Sequence, residues 1–255
     1  GYATSWLDPL TTLSVVAGAT DTISLGTSIL VLPLRNPVLT AKRAVSLKHL
    51  FGRELILGLG AGYVEAEFDA VGVPMAERST RYLEGIELIR RLFHEDEVTF
   101  DGEHFSVENF RLEPDVGRPP RLLAGGTGTT TEDGRKVSVG VKERLLFADG
   151  WIAPPQSLDS SRADWEEMSA FLESNGRDPT TYEKVGHQIV HLVPGDEPAH
   201  VRQKQEAAYR GLVGSGRTID HATENWLFGT VSDIVSTLHE YERQNFDEVF
   251  LHPVA

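Results

Sequence analysis

The chain has no cysteine among its 255 residues. Disulfides, thiolate nucleophiles, zinc–thiolate sites and iron–sulfur clusters are therefore excluded. A redox role would need an organic cofactor, or a metal held by histidine and carboxylates. Long apolar runs are also missing. The longest, Ile23 to Leu34, is broken by Gly26, Thr27, Ser28 and Pro33 and falls short of the roughly 20 residues that cross a bilayer. No basic-then-apolar leader opens the chain, so the expectation is a cytoplasmic protein with no membrane partner. Basic residues are in the minority, 24 against 38 acidic, for a net charge of −14. That field repels phosphate backbones, so no nucleic-acid partner is expected. No Gly-Lys-Ser/Thr occurs, which removes a P-loop, and no GxSxG supports a hydrolase. The nine histidines form no HxxxH on an expected helix. His187 and His191 share a strand face without a third ligand, so no metal is expected.

What is present is an alternation of strands and helices. Asp8-Pro9 starts a helix through Leu10, Leu13, Val16 and Ala17, and Asn36-Pro37 starts another that Gly52 ends. Further helices are expected at about 76–93, 137–148, 159–174, 198–212 and 230–243. Asp101-Gly102 between alternating flanks signals a hairpin. Six short apolar strands stand near 23–31, 54–59, 121–124, 150–153, 185–193 and 248–251. The alternation argues a parallel sheet with crossover helices. Six strands are two short of a closed eight-stranded barrel, so pattern alone leaves an open doubly wound sheet standing beside it. No repeat or linker suggests a second domain, and residues 1–255 read as one.

Three strand ends are rich in glycine: Gly26-Thr27-Ser28-Ile29, Gly58-Leu59-Gly60-Ala61-Gly62-Tyr63 and Gly125-Gly126-Thr127-Gly128-Thr129. In parallel α/β folds the carboxyl ends of strands carry the site. The second end resembles a dinucleotide fingerprint but has Tyr63 where the third glycine belongs. The third end suits a phosphate, because glycines admit close backbone approach and consecutive N–H groups form an anion nest. A flexible polar loop is the other account of it.

Taken in order, Asp8-Pro9-Leu10, Ile23 to Pro37, Arg53 to Tyr63, Glu77 to Arg81, Phe100 to Phe105, Pro120 to Gly126 and Ala148 to Trp151 resemble the luciferase-like monooxygenase superfamily, whose members use FMN or F420. The likeness runs from residue 8 to about 153 and resumes at Gly229 to Pro253. It implies a (β/α)8 TIM barrel whose first two strands precede the Asp8 helix and are absent from this sequence. The family often places catalytic side chains after the second strand, so the resemblance names none here. It implies a bulged strand with a non-proline cis peptide at Ser28-Ile29 under an isoalloxazine-type ring. It also implies a ring-lining loop at Gly60, Ala61, Gly62 and Tyr63, and a phosphate loop at Gly125, Gly126, Thr127 and Thr129. Some F420 enzymes carry Glu at the position of Tyr63.

The activity this implies is a monooxygenase using reduced FMN and O2 on a small organic substrate. F420-dependent hydride transfer is the alternative, and a cofactor-poor scaffold that keeps only the fold is the third reading. The implied partners are the substrate, a separate flavin or F420 reductase and a second copy in a homodimer. Glu67 either orients the Tyr63 loop or is solvated. Arg78 and Arg81 either approach a phosphate or pair with Glu77, Glu84 or Asp69. Trp6, Trp151 and Trp226 are read as core or rim aromatics, with Trp226 in a loop able to cover a site.

Overall fold

The computed structural model describes residues 7–132, 134–195, 197–213 and 219–254; Trp6 lies outside them. In chain order the elements are α1 (Pro9–Ala19), β1 (Leu25–Val31), α2 (Pro37–Phe51), β2 (Leu55–Gly60), α3 (Glu65–Ala70), α4 (Arg78–His94), β3 (Val98–Asp101), β4 (Ser106–Phe110), β5 (Arg121–Gly125), β6 (Thr129–Thr131), β7 (Gly134–Lys136), α5 (Val139–Arg144), β8 (Gly150–Ala153), α6 (Leu158–Ser174), β9 (Glu183–Val190), α7 (Pro198–Val213), α8 (Ile219–Asn225), α9 (Val231–Arg243) and β10 (Glu248–Pro253). They fall into two compact units. The first holds Leu7–Gly125 and Ser138–Trp151, the second Gly126–Val137 and Ile152–Ala255. The chain passes from one to the other after Gly125, after Val137 and, within β8, after Trp151.

In the first unit β1, β2 and β5 run parallel, with Gly26 opposite Ile56 and Ile56 opposite Arg121. Every residue of β2 (LILGLG) is buried, the signature of a strand covered on both faces. The helices begin and end where their caps dictate. Asp8 accepts the Thr11 amide at 2.9 Å with Pro9 in the first turn, and Asn36 accepts that of Leu39 at 3.1 Å. Gly52 closes α2 at φ 64°, a conformation that favours glycine. In α4 a buried stripe of Tyr82, Ile86, Ile89 and Phe93 faces the core, which follows its 3.6-residue period. Asp149 explains the Ala148-Asp149-Gly150 signature: its carboxylate takes the Leu122 amide and the Arg90 guanidinium, both at 2.8 Å. The expected Asp101-Gly102 hairpin is β3–β4.

In the second unit β9 and β10 are parallel, with Val185 opposite Glu248 and Val190 opposite Pro253. Thr230 and Asp233 form a reciprocal capping box at the start of α9. Beside the short helices α3 and α8, which the sequence reading did not expect, two further features differ from it. The polar stretch after Gly126 carries the antiparallel pair β6–β7 rather than a bare loop. The helix expected at 137–148 is cut to Val139–Arg144, with a single tighter turn at Leu145–Phe147 after it. Among the described residues no helix is long and apolar enough to cross a membrane.

Candidate functional site

In the first unit the carboxyl ends of β1, β2 and β5 meet at one side chain. The register of β1 against β2 shifts between Thr27 and Leu30, and the Ser28–Ile29 peptide inside that bulge is cis, as the resemblance implied. The Ile29 side chain then lies across two glycines. A Cβ at Gly60 would stand 2.2 Å from Ile29 Cδ1, and one at Gly125 would stand 3.2 Å from Ile29 Cγ2 and 2.9 Å from the Leu59 carbonyl oxygen. Any side chain at position 60 would push Ile29 out of the place it takes here. The floor is thus backbone, topped by an isoleucine that remains 38% exposed. Ser28 Oγ is buried without a hydrogen-bond partner, and such a group loses its hydration for nothing unless a ligand reaches it. Ala61 and Gly62 continue β2, Gly62 at φ 76° against Val31 and Phe68. Tyr63 is 65% exposed. These features fit a planar, mostly apolar heterocycle seated on β1, β2 and β5.

Behind this floor sits a pair that the sequence reading missed. Tyr82 donates its hydroxyl to the Leu59 carbonyl at 3.2 Å. Burial raises that phenol well above its ordinary range, partly offset by the neighbouring Arg144 charge. The Arg144 guanidinium lies 4.5 Å from the centre of the Tyr82 ring and reaches the Gly125 carbonyl at 3.4 Å. Arg81, by contrast, pairs with Glu77 at 2.8 Å. Glu84 is committed to the β3–β4 turn, accepting the amides of Glu103, His104 and Phe105. Glu84, Glu103 and His104 present their ligand atoms within 4.8 Å of one another, but Glu84 already spends its oxygens on those amides. Glu67 is exposed in α3.

In the second unit the glycine-rich loop is organised from within. Asp164 of α6, fully buried, accepts the Gly128 amide at 3.0 Å and lies 3.0 Å from the Thr127 hydroxyl. Arg135 reaches it at 2.7 Å and 2.8 Å, and Gln156 donates to it at 3.1 Å. Burial alone would raise the Asp164 pKa, but the bonds from Arg135, Gly128 and Gln156 outweigh it and hold the carboxyl below its ordinary value. A Cβ at Gly128 would come within 2.4 Å of Asp164 Oδ1. That glycine is therefore required by an internal carboxylate, and the donors of Thr127 and Gly128 are turned inward. Thr129 is exposed on β6. The sequence held a signal for Asp164: it lies on the buried stripe Ser161, Asp164, Met168, Leu172 of α6, and an acid on such a stripe needs a partner.

His187 and His252 stack with ring centres 6.0 Å apart. Burial, together with the His252 charge, pushes the His187 pKa down to about 4. Trp226 is buried against Tyr209 of α7, edge to face at 4.8 Å, so it is a core residue rather than a cover. Trp151 is buried in β8.

Residues 1–245 match the family model described as luciferase-like monooxygenase, and the chain belongs to that family of flavin- and F420-using proteins. Over 76% of its length it is 30% identical to an F420-dependent hydroxymycolic acid dehydrogenase of Mycobacterium tuberculosis, covering 51% of that protein. Over 86% of its length it is 28% identical to a 4-hydroxyprotoasukamycin monooxygenase of Streptomyces nodosus subsp. asukaensis, covering 56% of it. The chain thus spans about half the length of these curated relatives. An F420-dependent secondary alcohol dehydrogenase, solved with an F420–acetone adduct, superposes with a TM-score of 0.81 at 16% identity over 97% of this chain and 78% of that one. At that identity the likeness bears on fold, and the fold is the luciferase-like (β/α) barrel type rather than an open doubly wound sheet.

Proposed function

We propose that this chain, acting over residues 1–255 as one functional domain, is an oxidoreductase that seats an isoalloxazine-type ring on the ends of β1, β2 and β5. The observation that carries the reading is the glycine floor at Gly60 and Gly125 with Ile29 spread over it and the Ser28 hydroxyl buried beside it. Ile29 supplies an apolar face for one side of the ring, Ser28 a hydroxyl for a ring heteroatom, and Ala61, Gly62 and Tyr63 the rim. Bound reduced FMN supplies two electrons to O2 for oxygenation of a small organic substrate. The protein's part is to orient the ring and substrate and to exclude water from them. The family description and the Streptomyces relative support this reading.

A second reading, hydride transfer with F420, is favoured by the mycobacterial relative, whose name specifies that cofactor. Titration of the protein with FMN and with F420, followed by fluorescence quenching, separates the two. Saturable FMN binding together with O2-dependent substrate oxidation supports the first; saturation by F420 alone supports the second. Saturation by neither leaves a scaffold that retains only the fold, and the proposal fails. A separate reductase and a homodimeric state belong to the same proposal, and sedimentation analysis tests the latter.

A further inference from the structure

Among the described residues Arg144 is the one buried arginine, at 7% exposure. A guanidinium away from water ordinarily faces a carboxylate, because an unpaired buried charge is costly. Arg35, Arg81, Arg90 and Arg91 of the same unit each face one. Arg144 faces an aromatic ring and a peptide carbonyl instead, and its Nε is buried without a partner. Burial lowers its pKa, yet a guanidinium stays protonated wherever a protein works. The fold therefore keeps an unneutralised cation inside, a cost that an apolar side chain of similar volume would avoid.

What distinguishes the position is what Arg144 does together with Tyr82. Tyr82, fully buried in α4, donates to the Leu59 carbonyl of β2 at 3.2 Å. Arg144, 4.5 Å from the centre of that ring, reaches the Gly125 carbonyl of β5 at 3.4 Å. The two strands touch at this step, since a Cβ at Gly125 would stand 2.9 Å from the same Leu59 oxygen. Gly60 follows Leu59 directly. One stacked pair, drawn from α4 and α5, thus grips both strands where the glycine floor lies. Ile29 rests on that floor 3.2 Å from where a Gly125 Cβ would be, so a small shift between β2 and β5 would be felt there at once.

We propose that Tyr82 and Arg144 are positioning residues for the ring seat: their stack fixes the spacing of β2 and β5 beneath Ile29 and holds a positive charge behind it. Their role rests on the ring reading proposed for this chain, and adds to it the residues that set the shape and the charge preference of the seat. The clamp acts on any planar ring, because it shapes the floor. The charge acts selectively. An enclosed cation favours the anionic form of a neighbouring group over its neutral form by about three- to tenfold. A reduced isoalloxazine-type ring is an anion in mildly alkaline buffer, and the oxidised ring is neutral. Both residues act through the strand carbonyls and the local field rather than by touching the ring.

The test is anaerobic titration of the full chain with riboflavin and deazariboflavin, each oxidised and chemically reduced, in wild type, Tyr82→Phe, Arg144→Met and Arg144→Lys. Both probes present a ring without a phosphate group. Tyr82→Phe keeps the stack and loses the bond to Leu59, so both charge states should bind about two- to fivefold less tightly. Arg144→Met should lose about three- to tenfold of the preference for the reduced ring, and Arg144→Lys should keep that preference within about twofold. A residue serving stability alone would lower the melting temperature and leave the ratio of the two affinities where it was. An unchanged ratio in Arg144→Met overturns the proposal, and so does an unchanged ring affinity in Tyr82→Phe; either result leaves the ring reading intact. Arg144→Met relieves a buried charge and should melt close to wild type. If it does not fold, Tyr82→Phe, one oxygen smaller, decides. Wild type that binds neither probe in either state overturns the positioning role, and the FMN and F420 titrations then decide separately whether the ring reading stands.

Discussion

Arg135 and Asp164 meet at 2.7 Å, the carboxylate fully buried and the guanidinium at the surface end of the pair. Twenty-nine positions of chain separate them, and their pairing holds the Gly126–Val137 segment to α6. Removing the charge from one member of a buried pair strands the other, at a cost of several kcal/mol when both are enclosed. With Arg135 partly in water, Asp164→Asn should cost about 2–3 kcal/mol in urea unfolding. A loss below about 0.5 kcal/mol would mean the loop is held by something else.

The same pair sets an acid limit. The folded Asp164 pKa lies below its unfolded value, near 3.8, so the stabilisation is complete above that value and is lost as pH falls through the lower folded one. Wild type should therefore lose stability more steeply than Asp164→Asn below about pH 4. Parallel curves for the two proteins would contradict the assignment.

His187 works in a higher window. Its folded pKa is about 4, against 6.5 for the free side chain, so the unfolded chain takes up the proton first. Stability contributed by the neutral ring is intact above about pH 6.5 and declines on acidification until about pH 4, where the difference is fully spent. In His187→Gln the slope over that interval should flatten. Proton NMR should find the wild-type His187 ring neutral at pH 5; a charged ring there would refute the assignment.

Ser28 provides a test without the cofactor and one with it. Its hydroxyl has no partner in the protein, so Ser28→Ala should leave thermal stability unchanged or raise it slightly. If the hydroxyl meets the ring, the same variant should bind FMN or F420 about three- to tenfold less tightly. Marked destabilisation of the free protein would show that Ser28 serves the fold instead.

Tyr82 and Arg144 should be energetically coupled. A double-mutant cycle with Tyr82→Leu and Arg144→Leu should return an interaction of about 1–2 kcal/mol, the range for a cation over an aromatic face away from water. Additive losses would make the stacking incidental.

Much of the architecture was legible because strands buried on both faces and helices with an apolar stripe leave strong local patterns. Leu55–Gly60 and Arg78–His94 fall close to where their periodicity puts them. The short α8 and the β6–β7 pair were not legible. A seven-residue helix and two three-residue strands carry too few positions for a period to emerge, and their partners come from elsewhere in the chain. Trp226 reads from the sequence as either a core or a rim aromatic, and its packing with Ile189, Tyr209 and Ala222 decides for the core.

Sequence alone determined the order of elements, the excluded chemistries, the glycine-rich strand ends and the family. Each of these depends on which residues are present or on near neighbours in the chain. Tertiary structure alone decided which glycines serve which purpose: Gly60 and Gly125 admit Ile29, while Gly128 admits Asp164. It also decided that Arg81 is paired and Arg78 is not. Such outcomes turn on ångström-scale approach between segments distant in sequence, and both charge pairing and steric fit fall off too quickly with distance for composition or spacing to encode them.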